Sequence, residues 1–305
     1  MILREEKTKI KRIEELKKKK RAVIIAHNYQ LDIVQEIADI TGDSLELARK
    51  ASKAKAETIV FCGVRFMAET SAIISPDKTV LLPVLEADCP LARMITVPQL
   101  KTLKKKHPQA GVASYVNSSA KIKAESDICC TSSNAITVVN ALPHKEILFV
   151  PDKNLGRYVS AYTAKKVILC KGFCPTHALL KASEIVKVKK DHPRAEFIAH
   201  PECVPEVLAL ADYVCSTAGM FKYARETKVK ELIIGTEGGM LYPLRKENPD
   251  KKFYLASPVL ICPNMKLITL DKIIEALEEG KYQIKVEESI RKPAYEALQR
   301  MLEVS

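Results

Sequence analysis

The chain has 305 residues, 47% of them hydrophobic and 28% charged, and 49 Lys and Arg against 37 Asp and Glu give a formal net charge of +12. At roughly 100–200 residues per domain, that length is expected to form two or three soluble domains. The start, MILREEKTKIKRIEELKKKKR, has no apolar h-region, and no apolar run approaches the ~18 residues of a bilayer span, so neither a leader nor a membrane segment is expected and the expected location is cytoplasmic.

The first element is a helix carrying the apolar stripe Ile10, Ile13 and Leu16, with the Lys17–Arg21 run as its solvated end. The excess of lysine, with few Asn and Gln, matches an ion-rich surface of the hyperthermophile kind. No Gly/aromatic RNA motif, Cys/His finger or heptad array accompanies the positive charge, so no nucleic-acid partner is expected. Nine cysteines in a reducing compartment point to metal ligation, catalysis or burial, not to a disulfide framework.

A unit then recurs three times. RAVIIAHNYQ (21–30), AGVASYVNSS (110–119) and AEFIAHPECV (195–204) are short apolar strands ending on His27, Tyr115 and His200. An aspartate follows 12 residues later in each copy (39−27, 127−115, 212−200), and a hydroxyl residue 5 after that: Ser44, Ser132 and Thr217. The buried-strand patterns AETIVFCGV, HKEILFVPD and VKELIIGTE come next, then a third strand in each copy, KTVLLPV, KKVILCK and KKFYLAS. Each copy closes on Cys-Pro, at Cys89-Pro90, Cys174-Pro175 and Cys262-Pro263. Helical connectors ending in His107-Pro108 and His192-Pro193 separate the copies, and the tail has two helical segments broken near Gly280 and Pro293.

Alternating strands and helices predict an α/β protein of three homologous three-layer α/β/α domains, with small parallel sheets arranged by pseudo-threefold symmetry around a central site. The expected division is 1–93 (with the N-terminal helix), 94–178, 179–263, and a helical tail, 264–305, packing back on the repeats. Ligands of such sheets collect at the carboxyl ends of strands. That is where the three lead residues and the three Cys-Pro dipeptides fall.

One cysteine from each third, brought to a common axis, would demand a thiophilic metal, because thiolates alone repel. The two candidates are a [4Fe–4S] cluster with one open iron and a zinc ion with an open position. Cys62, Cys129, Cys130, Cys170, Cys203 and Cys215 do not repeat in phase and are read as core or supporting residues, with CKGFC (170–174) a weak chelating pattern. A hydroxyl at a helix start, with its backbone N–H groups, suits a carboxylate or phosphate. His27, Tyr29, Tyr115, Asn117, His200 and Glu202 are candidate proton-transfer and hydrogen-bonding groups. His177, three residues after Cys174, is a candidate supporting residue, whereas His107, His144 and His192 have no such context.

AHNYQ, GDSLELA, YVNSS, CTSSNA, PDKNLG, HPEC, GTEGGM and CPNMK, in this order, resemble the quinolinate synthases over essentially the whole chain. The resemblance implies a [4Fe–4S] cluster on Cys89, Cys174 and Cys262. It implies condensation of iminoaspartate with dihydroxyacetone phosphate to quinolinate, releasing phosphate and water, in de novo NAD synthesis. An L-aspartate oxidase or dehydrogenase would supply the imine. It further implies substrate contacts at His27, Ser44, Tyr115, Val116, Asn117, Ser132, His200, Pro201, Glu202 and Thr217, with Tyr29, Glu202 and His27 catalytic. The nearest rival is a three-cysteine radical enzyme of the diphthamide type, which cleaves S-adenosylmethionine; HNYQ and HPEC argue against it.

Overall fold

The computed structural model describes residues 4–304, apart from the side chains at positions 45 and 48. It is an α/β structure with three parallel sheets of four strands. The first holds β1 (Ala22–His27), β2 (Ile40–Gly42), β3 (Thr58–Cys62) and β4 (Thr79–Leu81); the second β5 (Gly111–Tyr115), β6 (Ile128–Cys130), β7 (Glu146–Val150) and β8 (Lys166–Leu169); the third β9 (Glu196–Ala199), β10 (Tyr213–Val214), β11 (Glu231–Gly235) and β12 (Lys252–Leu255). Each sheet has its strands in the order second, first, third, fourth. The lead strand is therefore central in every sheet and ends on His27 or Tyr115, or one residue before His200.

The sequence pattern predicts three strands per unit, and the structure has four. The extra ones, β2, β6 and β10, are only two or three residues long. That is too short for periodicity to reveal, and it explains the recurrent aspartate. The Oδ2 atoms of Asp39, Asp127 and Asp212 accept hydrogen bonds from the N–H groups of Ile24, Val112 and Phe197 at 2.7, 2.6 and 2.7 Å. The same three aspartates donate their own N–H groups to the carbonyls of Ile24, Val112 and Phe197. Each short edge strand is thus fastened to its lead strand by a residue using both side chain and backbone.

The described residues form two compact units. One contains the first sheet and the segment Pro263–Tyr295. Both faces of its sheet are covered: Ile24 and Ile25, adjacent in β1 and so on opposite faces, are both fully buried. The helix Arg4–Lys20 buries Ile13 and Leu16 in one core with Ile24, Val60, Ile273 and Leu277, the last two from the helix Leu270–Glu279. Each such side chain stabilises the fold by about 1.5–3 kcal/mol. Lys17 is not solvated as the charge run suggested: it is buried, and its ammonium pairs with Asp39 at 2.7 Å and Glu14 at 2.9 Å. Only Lys18–Arg21 form the exposed end. After that second helix, Gly280 takes a left-handed conformation (φ 71°) that stops it. The following segment then pairs with the edge of β4, through Leu82 N–H to the Tyr282 carbonyl at 3.0 Å and Ile284 N–H to the Val80 carbonyl at 2.9 Å.

The other unit contains the second and third sheets, residues Pro90–Cys262, with Glu296 onward. The helix Val97–Lys106 is capped by a reciprocal Thr96–Gln99 box and buries Leu100 with Val112, Ile122 and Leu148. Phe197, Ile233, Ala199 and Val207 fill the core beside the third sheet. The last helix runs unbroken from Glu288 to Val304, with Pro293 inside it. The expected break there does not occur: the helix runs through Pro293, which forgoes only the one bond its missing N–H would make to the Ser289 carbonyl. No helix of the described residues is long and apolar enough to cross a membrane.

Candidate active site

Two of the three strand ends carry the same small device. In the first unit His27 is buried, and its Nδ1 accepts the N–H of Tyr29 at 3.1 Å; the two rings meet edge-on at 4.5 Å. In the other unit His200 is buried, and its Nδ1 accepts the N–H of Glu202 at 3.3 Å. With Nδ1 accepting, a neutral His27 carries its proton on Nε2; His200 Nδ1 also faces the Glu202 carboxylate, and its Nε2 bears a proton whether the ring is neutral or charged. His200 Nε2 lies 3.1 Å from Ser132 Oγ. The first turn is braced by Lys266, whose ammonium donates to the Tyr29 carbonyl at 2.5 Å, and by Gln35, whose amide donates to the carbonyls of Asn28 and Gln30 at 3.1 and 2.9 Å.

The second strand end has Tyr115 in place of histidine. Its loop is held from beneath: the fully buried Lys123 donates to the Ser118 carbonyl, Ser118 Oγ donates to the Tyr115 carbonyl at 2.7 Å, and Val116 N–H reaches the Cys130 carbonyl at 2.8 Å. Asn117 Oδ1 is buried with no hydrogen-bond partner among the described residues. Two residues past the lead position the three units therefore carry Tyr29, Asn117 and Glu202, which are three different chemistries on one backbone plan.

Glu202 is the centre of the richest network. Its Oε2 lies 3.0 Å from His177 Nδ1 and 3.4 Å from His200 Nδ1, and its carbonyl accepts from Asn154 Nδ2 at 3.1 Å. His177 Nδ1 is also 3.1 Å from Cys174 Sγ, and its Nε2 is 2.8 Å from Thr236 Oγ1. The rings of His177 and His200 stack at 4.8 Å. Burial would raise the Glu202 carboxyl, but the facing His177, then His200 and Tyr115, outweigh it and hold the group below the usual range. Asp152, fully buried nearby, goes the other way. Desolvation, then the charge of Glu202, push it up to about 8 despite the N–H groups of Leu155, Asn154 and Cys174. Two buried carboxyls thus split their roles: Glu202 stays ionised near neutral pH and Asp152 keeps a proton.

All three Cys-Pro cysteines are half-buried, and each donates its N–H to an acidic side-chain oxygen: Cys89 to Asp88 at 2.8 Å, Cys174 to Asp152 at 3.1 Å, Cys262 to Glu237 at 3.0 Å. Asp152 and Glu237 occupy the same place, two residues past the ends of β7 and β11. The first unit has Val64 there and uses Asp88 instead. Cys62, Cys129, Cys130 and Cys203 are core residues, as expected. Burial pushes the thiols of Cys62, Cys130 and Cys203 up, and those of Cys129 and Cys215 up to about 12, so they remain protonated. CKGFC is a close-approach motif. A Cβ on Gly172 would sit 2.5 Å from the Pro151 carbonyl oxygen, and Lys153 N–H bonds the Gly172 carbonyl at 2.7 Å, which brings Cys174 beside Asp152.

The repeated hydroxyls are helix caps in none of the three units: the helix after Ser132 begins only at Ala135, with Asn134 at its N-cap. Asp43 Oδ1 accepts from Glu46 N–H at 2.9 Å, and Ser216 Oγ accepts from Gly219 N–H at 3.1 Å. Ser44 and Thr217 are then the first residues of the helices Ser44–Lys53 and Thr217–Glu226. Thr217 and Pro201 are buried. Around Glu202 the fold gathers Tyr115, Ser132, His200 and Cys174. His27 and Tyr29 meet in the first unit, where Ser44 and Cys89 also lie.

The model of the family described as quinolinate synthetase A protein matches residues 11–303. The chain is 57% identical over 292 residues to the quinolinate synthase of Geotalea uraniireducens, covering 96% of each protein. It is 54% identical over 294 residues to that of Thermodesulfovibrio yellowstonii, covering 96% of this chain and 97% of the relative. It is 53% identical over 295 residues to quinolinate synthase 1 of Methanosarcina acetivorans, covering 97% of each.

The chain belongs to the quinolinate synthase family.

Within this member of the family, sequence reasoning named His177 but overlooked Asp152, Asn154, Thr236, Glu237 and Lys123. A signal was present for some of them. PDKN and GTEGG place a carboxylate at one repeat position, two residues past a strand end, where a lone charge at a buried location requires partners. For Lys123 no signal existed, since it sits in a short helix (Ala120–Ala124) among other lysines.

Proposed function

We propose that this chain is a quinolinate synthase in NAD biosynthesis, condensing iminoaspartate with dihydroxyacetone phosphate and releasing phosphate and water. A [4Fe–4S] cluster on Cys89, Cys174 and Cys262 belongs to this reading. The residues fit that group: three half-buried cysteines, each braced at its N–H by an acidic side chain, stand apart from core thiols that burial keeps protonated. Once bound, the cluster would supply an iron lacking a cysteine ligand, able to act as a Lewis acid toward substrate oxygen.

The observation that carries the reading is Glu202. It is buried and held in the ionised form by His177, and its Oε1 finds no hydrogen-bond partner among the described residues. Such an oxygen is suited to take a proton from carbon next to an imine and return it to a leaving hydroxyl. His200 Nε2–H and Ser132 Oγ, 3.1 Å apart, would orient a substrate carboxylate, and Asn117 would satisfy its unpaired Oδ1 on substrate. Tyr29 and His27 would donate protons to substrate oxygen. Ser44 and Thr217, with their helix-start N–H groups, would hold phosphate or carboxylate. Tyr115, Val116 and Pro201 complete the walls.

The test is an anaerobic assay of the iron- and sulfide-reconstituted chain, with dihydroxyacetone phosphate and iminoaspartate made in place from aspartate by L-aspartate oxidase with an added two-electron acceptor in place of dioxygen. Quinolinate should accumulate. Glu202→Gln should lower kcat by roughly 10²–10⁴-fold while cluster absorbance persists. No quinolinate from a fully reconstituted chain would overturn the reading.

A further inference from the structure

We propose that, in the cluster-free chain, Cys174, His177 and Glu202 form a mononuclear site for a thiophilic divalent cation such as zinc. The inference goes beyond the proposed reaction and rests on the donor set alone. One sulfur, one imidazole nitrogen and one carboxylate oxygen lie within 4.8 Å of one another. His177 Nδ1 is 3.1 Å from Cys174 Sγ and 3.0 Å from Glu202 Oε2. Tetrahedral zinc, with bonds of about 2.3 Å to sulfur and 2.0–2.1 Å to nitrogen or oxygen, places its donors roughly 3.3–3.6 Å apart. The two His177 distances then widen by a few tenths of an ångström, and the Cys174–Glu202 pair, within 4.8 Å, settles at about 3.5 Å around the ion.

The surroundings of the three donors are those of a ligand shell. Metal-binding imidazoles hold their second nitrogen in a hydrogen bond, and His177 Nε2 is 2.8 Å from Thr236 Oγ1. The Cys174 backbone is fixed by Asp152 and the Glu202 backbone by Asn154. A thiolate and a carboxylate against a dication sum to zero charge, which a buried site tolerates better than bare Glu202. Buried Oε1 of Glu202, with no hydrogen-bond partner among the described residues, is available to the ion or to a water on it. His177 is 1% and Glu202 3% exposed, whereas Cys174 is half-buried and offers access. Neither Cys89 nor Cys262 is needed. The consequence is competition: a cation held here occupies Cys174 and blocks assembly of an iron–sulfur cluster on it.

The full chain, purified anaerobically and stripped with chelator, should take up a single equivalent of cobalt(II), with a thiolate charge-transfer band and intense tetrahedral d–d bands. Zinc should displace it. His177→Ala and Glu202→Gln should weaken binding at least tenfold, and Thr236→Val should weaken it while leaving the ligands intact. Cys89→Ala and Cys262→Ala should bind as the parent does. Zinc-loaded chain should gain cluster absorbance on reconstitution more slowly than stripped chain. Loss of cobalt binding in Cys89→Ala or Cys262→Ala would mean a three-cysteine site and overturn the proposal, as would undiminished binding in both His177→Ala and Glu202→Gln. Thermal melts of each variant separate lost binding from lost folding. Cluster assembly and quinolinate formation in the stripped chain are read independently, so either idea can fail alone.

Discussion

His27 and His200 stand at equivalent ends of equivalent strands, and each accepts the N–H of the residue two positions on. What surrounds them differs. The His27 turn delivers a half-buried tyrosine and is braced through backbone carbonyls by Lys266 and Gln35. The His200 turn delivers a fully buried carboxylate facing two imidazoles. Repetition has conserved the turn that fixes the histidine tautomer, while the residue the turn presents has been free to change. On the proposed reading, proton removal from carbon falls to Glu202, where burial makes its partners decisive, and the half-buried phenol at the other turn donates to substrate oxygen.

The largest expected effect tests that contrast directly. Glu202→Gln should lose roughly 10²–10⁴-fold in kcat, and Tyr29→Phe no more than about tenfold. Equal losses in steady-state rates would break the distinction between the turns. Next in size is a change at the close approach beside Cys174. Gly172→Ala forces a Cβ against the Pro151 carbonyl and should destabilise the unit by about 2–3 kcal/mol in urea unfolding, lowering iron content on reconstitution as well.

A smaller effect tests the strand clamps. Burial would raise the Asp212 carboxyl, but Lys189 and the Phe197 N–H hold it below the usual range. A depressed carboxyl contributes stability that is present above its unfolded value of about 4 and lost as pH falls through its folded value. Asp212→Asn should therefore be about 1 kcal/mol less stable than the parent at pH 7, a figure already reduced for the partial exposure of the Lys189 pair, and the gap should close in acid. A gap that is constant with pH would show that only the shape of the side chain matters. Smallest is Lys266→Met. It removes one brace of the His27 turn and should raise KM a few-fold with kcat nearly unchanged; a larger fall in kcat would make that turn as critical as the other.

The sequence by itself determined the repeat, the alternation of strand and helix, the lead residues and the three Cys-Pro positions. These are encoded locally or at constant spacing, through the two-residue period of buried strands and the turn residues between them. It misjudged Lys17 and Pro293, because burial of a lysine stem and tolerance of a proline depend on neighbours. The edge strands, the aspartate clamps that make them and the network around Glu202 were decided only in three dimensions. His177, Glu202 and Thr236 are separated by tens of residues in the chain, and nothing in their local patterns pairs them. Sheet order and the close approach at Gly172 do so, and a buried charge takes its chemistry from the groups that the fold sets against it.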